Sequence, residues 1–501
     1  MSGIPQWYDD ARAPGVWTGV QVCVTGIALS GSAAARALAA RGASVTVVDG
    51  RDGPAERTRA DELAALGIEV RLGGGTELPD GTELVVTSPG WRPDQPLLAA
   101  ALAADVPVWG EVELAWRLRD PAVPWLGITG TNGKTTTVEM LASILGAAGL
   151  RSVAAGNVGL PLVDAVLAEP PYDVLAVEVS SFQLHWMSTV EFSAAAVLNV
   201  ADDHVDWHGS AAAYAADKAS VWRGAGVIVV NADDAPASGL AATVARRIVS
   251  FTLAEPTAGQ LGLRDGWLVD AWRPATTSVA AAQDAVGVPD DGPAGGTGGV
   301  RLVEVAAVRP PGPHNVANAL AAAALARAHG VSAESVREGL RSFTPGGHRI
   351  AHVATVAGVD YVNDSKATNP HAATASLHSY AHVVWVAGGL AKGARFDELV
   401  ATTAGRLRGV VLIGRDRQAI AEALERHAPD VPVVEVTGTD TGVMDDVVRA
   451  AAALAVPGDT VLLAPACASM DMFRDYAARG DAFAAAVRSL DDRSTAPGPV
   501  A

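Results

Sequence analysis

Leu126-Gly-Ile-Thr-Gly-Thr-Asn-Gly-Lys-Thr-Thr-Thr137 is the stretch on which the fold turns. It reads as the end of a strand, Trp125–Thr129, then a glycine turn, then a helix that opens near Lys134. In such a turn, here Gly130, Thr131, Asn132 and Gly133, backbone N–H groups converge on phosphate oxygens. The helix N-terminus adds its partial positive charge. Lys134 would reach the β- and γ-phosphates of a nucleotide, and the hydroxyl of Thr135 or Thr136 would bind Mg2+. The general phosphate-loop pattern wants a glycine where Ile128 stands, so the spacing departs from it.

Outward from this loop, strand-like runs alternate with alanine-rich helical stretches, the pattern of parallel sheets with crossover helices. At 501 residues the chain is too long for one ordinary core. Three α/β blocks are expected, 1–118, 119–345 and 346–501, the central one a phosphate-loop ATPase-type parallel sheet and the outer two Rossmann-like. The first opens with a strand Val20–Thr25, a helix through Arg41 and a strand Ser44–Asp49. The second contains a hairpin around Asp265-Gly266 and a Gly/Pro-rich surface loop, Val286–Gly299. The third begins near Thr344–His348 and holds four strand candidates, Asp360–Asn363, His382–Ala387, Gly409–Ile413 and Thr460–Ala464.

Residues of apolar type make up 49% of the chain and charged ones 18%, a well-packed globular composition. The net charge of -18 argues against a nucleic-acid partner, since phosphate backbones reward a basic face. Cys23 and Cys467 lie in apolar runs and read as buried free thiols in a reducing compartment. No run approaches a membrane span and no leader pattern opens the chain, so a cytoplasmic protein without a membrane partner is expected.

Two further segments end strands in polar residues: Val174-Leu-Ala-Val-Glu-Val-Ser-Ser-Phe-Gln-Leu184 and Leu198-Asn-Val-Ala-Asp-Asp-His-Val-Asp-Trp-His-Gly209. Ligands of open α/β sheets gather beyond the carboxyl ends of strands, so Glu178 and His204 should converge near the phosphate loop. A carboxylate beside a triphosphate suits Mg2+; an imidazole alone would point to a transition metal, or be merely structural. Lys218, in Tyr-Ala-Ala-Asp-Lys-Ala, reads by itself as a solvated helix charge. Asn315 and Asn318, three apart in Gly-Pro-His-Asn-Val-Ala-Asn-Ala-Leu, share a helix face, with capping the plain reading.

The sequence TGTNGKT resembles the ATP loop of the Mur ligases and of their folylpolyglutamate synthase relatives, which use this shorter glycine spacing. The resemblance runs from about residue 20 to 485 and implies an ATP-dependent amide ligase of peptidoglycan synthesis. It makes Glu178, His204 and Lys218, with Thr135, ligands of two Mg2+ ions, Lys218 being carbamylated by CO2. That chemistry needs a neutral amine and hence a lowered pKa. Lys134, His204 and Lys218 become the catalytic set, and Asn315 and Asn318 lie by the adenine.

In the first block, Thr25-Gly-Ile-Ala-Leu-Ser-Gly31 follows a strand and opens a helix. Ala28 replaces the glycine at which a dinucleotide pyrophosphate would approach, which speaks against an NAD site. By resemblance this is a UDP-binding block, with Leu29, Ser30 and Arg51, Ser88 and Gly90 of Thr-Ser-Pro-Gly, and Asn157 of Gly-Asn-Val-Gly-Leu-Pro facing the nucleotide-sugar. Three motifs resemble the D-glutamate-adding branch. They are Glu-Val-Ser-Ser-Phe-Gln-Leu (178–184), where a diamino-acid-adding ligase would carry histidine at Phe182, Asn363-Asp-Ser-Lys-Ala-Thr-Asn369, and Pro465-Ala-Cys-Ala-Ser-Met-Asp-Met-Phe473. The match places Lys366, Thr368, Lys392, Ser469 and Tyr476 at the D-glutamate carboxylates; the family often has phenylalanine at Tyr476. It places Arg349 and Asp364 on the ATP side. The implied substrates are ATP, D-glutamate and UDP-N-acetylmuramoyl-L-alanine, joined through an acyl phosphate by a protein acting as a monomer.

Overall fold

In the computed structural model of the protein, residues 6–74, 77–201, 203–244, 246–272, 299–438 and 442–495 are described. The chain divides into two compact units, Met1–Ala307 with Ala317–Phe343, and Val308–Val316 with Thr344–Ala501.

The first unit holds two sheets. The N-terminal one joins β1 (Gln21–Thr25), β2 (Ser44–Asp49), β3 (Glu69–Leu72), β4 (Leu84–Thr87) and β5 (Val108–Gly110), all parallel, in the order β3-β2-β1-β4-β5. The order reverses between β1 and β4, so a crevice opens beyond their carboxyl ends. Thr25-Gly-Ile-Ala-Leu-Ser-Gly31 and Thr-Ser-Pro-Gly90 lie at those two ends. The second sheet contains β6 (Trp125–Thr129), β7 (Ser152–Gly156), β8 (Val174–Glu178), β9 (Ala194–Val197), β10 (Val227–Asn231), β11 (Ile248–Phe251), β12 (Gln260–Arg264), β13 (Trp267–Asp270) and β14 (Val300–Glu304). Its order is β14-β13-β12-β11-β10-β9-β6-β8-β7, with a reversal between β6 and β9. Every residue of β6, β8 and β9 is buried, as expected for strands covered on both faces.

The second unit is built on β15 (Ala351–Val356), β16 (Val359–Asn363), β17 (Val383–Gly388), β18 (Leu407–Ile413), β19 (Val433–Glu435) and β20 (Thr460–Leu463), ordered β15-β16-β20-β17-β18-β19. Two of these strands, β15 and β19, are additional to the four expected from the sequence. Both are edge strands with largely exposed or half-buried residues, so neither carries the continuous apolar run that marks the others.

The parallel reading also needs correction at two edges. β12, β13 and β14 form an antiparallel ribbon, and β15 pairs antiparallel with β16. The expected hairpin is present, with Asp265 at φ 50 and Gly266 at φ 77, the left-handed pair that a tight two-residue turn requires. The Gly/Pro-rich stretch lies outside the described residues except for Gly299. Strand β1 starts one residue later than expected, and the helix after it spans Leu29–Ala39. Both cysteines are buried, and burial pushes each thiol up to about 12, which leaves them inert.

The helix Glu111–Leu118 links the two sheets of the first unit through two buried carboxyls. Glu113 accepts from the backbone and hydroxyls of Ser188 and Thr189 and pairs with Arg117 at 2.8 Å. Glu111 accepts from Val163 N at 2.8 Å, but its other oxygen is buried without a partner. Desolvation raises its pKa to about 7.

Candidate active site

The phosphate loop has the expected strand–turn–helix build. Gly133 is the N-cap of the helix Lys134–Ala147, at φ 83. A Cβ there would lie 2.3 Å from Asn318 Oδ1, so glycine is required both by the backbone and by the carboxamide over the loop. Thr131 and Asn132 amides donate to Asn199 O and Oδ1, at 3.0 and 2.8 Å, tying the loop to the segment after β9. Thr135 is buried and Thr136 half-buried.

Two lysines meet at one carbonyl. Lys134 Nζ and Lys218 Nζ each lie 2.8 Å from Gly130 O, and Lys134 also donates to Thr131 O at 2.9 Å. Lys218, on the helix Ala211–Ala219, is 1% exposed. Burial, and then the charge of Lys134, push its pKa well below the lysine range, with Asp203 opposing. That direction favours the neutral amine that carbamate formation requires. The same helix grips the loop through Tyr214, whose hydroxyl is 3.0 Å from Thr131 Oγ1.

Glu178 ends β8, in register with Ile128 of β6. Its Oε1 accepts from Asn157 Nδ2 at 2.8 Å, while Oε2 is buried with no hydrogen-bond partner. An orphaned buried carboxylate oxygen at the end of the strand beside β6, which leads into the phosphate loop, fits a hard divalent cation. No group of three or more His, Cys, Asp or Glu gathers for a metal among the described residues. A cation here would therefore take its remaining oxygens from phosphate, hydroxyl or water, as Mg2+ does. His204 has φ 51, its ring 47% exposed and 3.5 Å from Asp203 Oδ2. Phe182 packs 4.7 Å from it. Phe182 belongs to the helix Ser181–His185, which Ser180 and Gln183 close with a reciprocal capping box.

At the first crevice, Asp49 Oδ2 accepts from Ile27 N at 2.9 Å and Arg51 pairs with the same carboxyl at 3.1 Å. A Cβ on Gly26 would meet Ser88 Oγ at 2.7 Å, and that hydroxyl is buried and unpartnered. Ser88 is thus brought against the glycine turn that carries Leu29 and Ser30. Leu29 is 65% exposed, and Gly90 is exposed too. Asn315 and Asn318 fall inside the helix Pro313–Ala328 rather than at its cap, and Asn315 donates to Pro311 O at 3.2 Å. The plain capping reading is therefore wrong: the helix starts two residues earlier, with proline at its first position.

In the second unit the motif loops 363–369 and 465–473 and the loop 388–393, Gly-Gly-Leu-Ala-Lys-Gly with Lys392, follow the adjacent strands β16, β20 and β17. They are sewn together: Ala466 N donates to Ala367 O, Gly388 N to Pro465 O, and Leu390 and Ala468 exchange two bonds. Lys366 Nζ donates to the Tyr476 hydroxyl at 3.2 Å and lies 4.6 Å above its ring. Thr368 N bonds Lys366 O at 2.8 Å, Ser469 is buried, and Lys392 has φ 51. Asp364 is buried, accepting from Ile350 N and Ser376 Oγ, and desolvation raises it to about 6; Arg349 counters this.

The N-terminal, middle and glutamate-ligase domain models of the Mur ligases match residues 20–110, 128–326 and 348–467. A UDP-N-acetylmuramoylalanine--D-glutamate ligase of Streptomyces avermitilis is 59% identical over 95% of this chain and 99% of its own. The chain belongs to the Mur ligase family. Mycolicibacterium smegmatis has a ligase of the same name that is 50% identical over 94% of this chain and 97% of its own. Among solved structures, the UDP-N-acetylmuramate-alanine ligase of Thermotoga maritima superposes with a TM-score of 0.58 at 19% identity, covering 94% of this chain and 99% of that one. That likeness speaks for the Mur ligase fold.

Sequence reasoning missed one residue that organises this Mur ligase's second unit. Arg479, 1% exposed, donates to Ser365 Oγ and O at 2.9 Å, to Cys467 O at 3.1 Å and to Gly388 O at 3.5 Å. One guanidinium thus touches all three of the loops that follow β16, β17 and β20. In sequence it is one arginine among alanines of a final helix, with nothing local to mark it. His208 was missed too. Its ring is fully buried between Asp217 and Ser181, and burial pushes it below the usual histidine range.

Proposed function

We propose that the protein adds D-glutamate to UDP-N-acetylmuramoyl-L-alanine, at the expense of ATP and through an acyl phosphate, in peptidoglycan precursor synthesis. The observation that carries this is identity of 56–59% to ligases of that name over 95% of this chain or 94% in one case. The motifs 178–184, 363–369 and 465–473 support the choice of amino acid.

Amide formation in water is uphill, so the carboxylate must first be activated. Its oxygen takes the γ-phosphoryl group and ADP leaves. The neutral amine of D-glutamate then attacks the acyl carbon, and phosphate departs with the oxygen that attacked. No protein nucleophile takes part. Lys134, with Gly130, Thr131, Asn132, Gly133, Thr135 and Thr136, holds the phosphates and offsets their repulsion for the carboxylate. Asn315, Asn318, Arg349 and Asp364 complete the ATP contacts. Two magnesium ions held by Thr135, Glu178, His204 and carbamylated Lys218 would supply charge neutralisation. His204 serves better as ligand than as base. Leu29, Ser30, Arg51, Ser88, Gly90 and Asn157 hold the nucleotide-sugar, and Lys366, Thr368, Lys392, Ser469 and Tyr476 the incoming carboxylates.

We assign these tasks to blocks 1–118, 119–345 and 346–501 of a cytoplasmic monomer. Among the described residues, no helix is long and apolar enough to cross a membrane. A panel of amino acids scored by phosphate release, with ATP, Mg2+ and the UDP-muramoyl-L-alanine, tests the reading. D-glutamate should stand alone above background; release with L-alanine or a diamino acid instead would identify a sister ligase.

A further inference from the structure

Three short elements of the first unit meet at one buried imidazole. His208 ends the helix Val205–His208, Asp217 lies on the helix Ala211–Ala219, and Ser181 opens the helix Ser181–His185. Asp217 Oδ2 is 2.8 Å from His208 Nδ1 and 3.1 Å from His185 Nδ1. His208 Nε2 is 3.0 Å from Ser181 Oγ. An ionised carboxylate only accepts, so Nδ1 of His208 carries the proton and Nε2 of the neutral ring accepts from the serine hydroxyl. The His208 ring also lies parallel to Phe182, 7° between planes at 5.6 Å. Phe182 in turn packs on His204.

We infer that Asp217, His208 and Ser181 form a positioning relay that fixes the Ser180–Gln183 cap and the Phe182 wall against His204, and so shapes the nucleotide-sugar side of the site. The inference rests on the ligase reading above. Asp217 and Lys218 are neighbours, so the helix that carries Lys218 is clamped from both edges. Tyr214 joins it to the phosphate loop through Thr131, and Asp217 joins it to Ser181 through His208. The two clamps use different side chains. Losing the imidazole should therefore loosen the substrate side and leave the phosphate loop in place. Ser181 is 3% exposed and boxed in by Phe182 and His208, which makes it a poor nucleophile despite the serine–histidine–aspartate order.

The test is steady-state kinetics of His208→Phe, Ser181→Ala, the double variant and His208→Asn, varying ATP and UDP-muramoyl-L-alanine separately. We expect KM for the UDP substrate to rise about tenfold in His208→Phe and in Ser181→Ala, the cost of losing one buried hydrogen bond, and KM for ATP to stay within about twofold. The double variant should be no worse than His208→Phe, since the two act through one bond. His208→Asn, which keeps an N–H for Asp217, should fall between wild type and His208→Phe. Ser181→Ala removes a single oxygen and carries the test should His208→Phe not fold. Unchanged KM for the UDP substrate, an equal rise in both KM values, or additive losses would overturn the relay. A wild-type enzyme that forms no product overturns the ligase reading instead.

Discussion

The two units each organise a site around basic side chains, and they do so differently. In the first, the Nζ atoms of two lysines share the Gly130 carbonyl. In the second, one guanidinium spreads over Ser365, Gly388 and Cys467. Lysine is a compact charge on a flexible stem and can be re-aimed at an arriving phosphate; arginine is a rigid planar fork whose donors here are already satisfied. In the first arrangement two amines crowd one carbonyl oxygen, and the charge of Lys134 disfavours a second charge on Lys218. The second is a fixed frame. Burial pulls Arg479 down to about 10, so it remains charged at neutral pH.

The largest effect should come from removing the lysine of the phosphate loop. Lys134→Ala should lower kcat by about 3–4 kcal/mol of barrier, the loss expected for one electrostatic stabiliser, while the fold is kept. A variant with near-normal phosphate release would break the contrast. Removing the fork is next. Arg479→Met should raise KM for D-glutamate by about 2 kcal/mol equivalent, roughly thirtyfold, because charged hydrogen bonds of this kind contribute about that much. KM for ATP measured on the same variant should not move. Depleting dissolved CO2 should lower wild-type activity and restoring it should recover the loss, if Lys218 acts as a carbamate. Activity indifferent to CO2, with an unmodified lysine mass, would remove that role.

The last effect is on stability rather than activity, and concerns a buried acid rather than a buried cation. Glu111 has a folded pKa raised from 4.5 to about 7 by desolvation. Its contribution to stability is fully present below pH 4.5, declines as pH rises, and is lost above about 7. The integral is about 3 kcal/mol. Thermal unfolding of wild type relative to Glu111→Gln should therefore worsen through that window and level off above it. A difference independent of pH would contradict the assignment.

How much of this was legible in the sequence follows from range. TGTNGKT announces its own turn because glycine conformation and helix start are local properties, and β6 and β2 match their expected bounds to the residue. Glu178, Lys218 and the three motif loops stand out by resemblance, since spacing alone leaves Lys218 a surface charge. Arg479 stays hidden because its partners Ser365 and Gly388 lie about a hundred residues away and contribute mostly backbone oxygens, which any residue provides. β15 and β19 escape because edge strands lack the double-sided burial that makes a continuous apolar run. The relay around His208 needs three helices in place before its hydrogen bonds exist.

One measurement reaches the centre of the account: the reaction run with ATP, D-glutamate and UDP-muramoyl-L-alanine carrying heavy oxygen in its terminal carboxylate. Mass spectrometry of the released phosphate should find one heavy oxygen per amide formed, transferred with the attacking carboxylate. Amide product accompanied by unlabelled phosphate would contradict activation through an acyl phosphate.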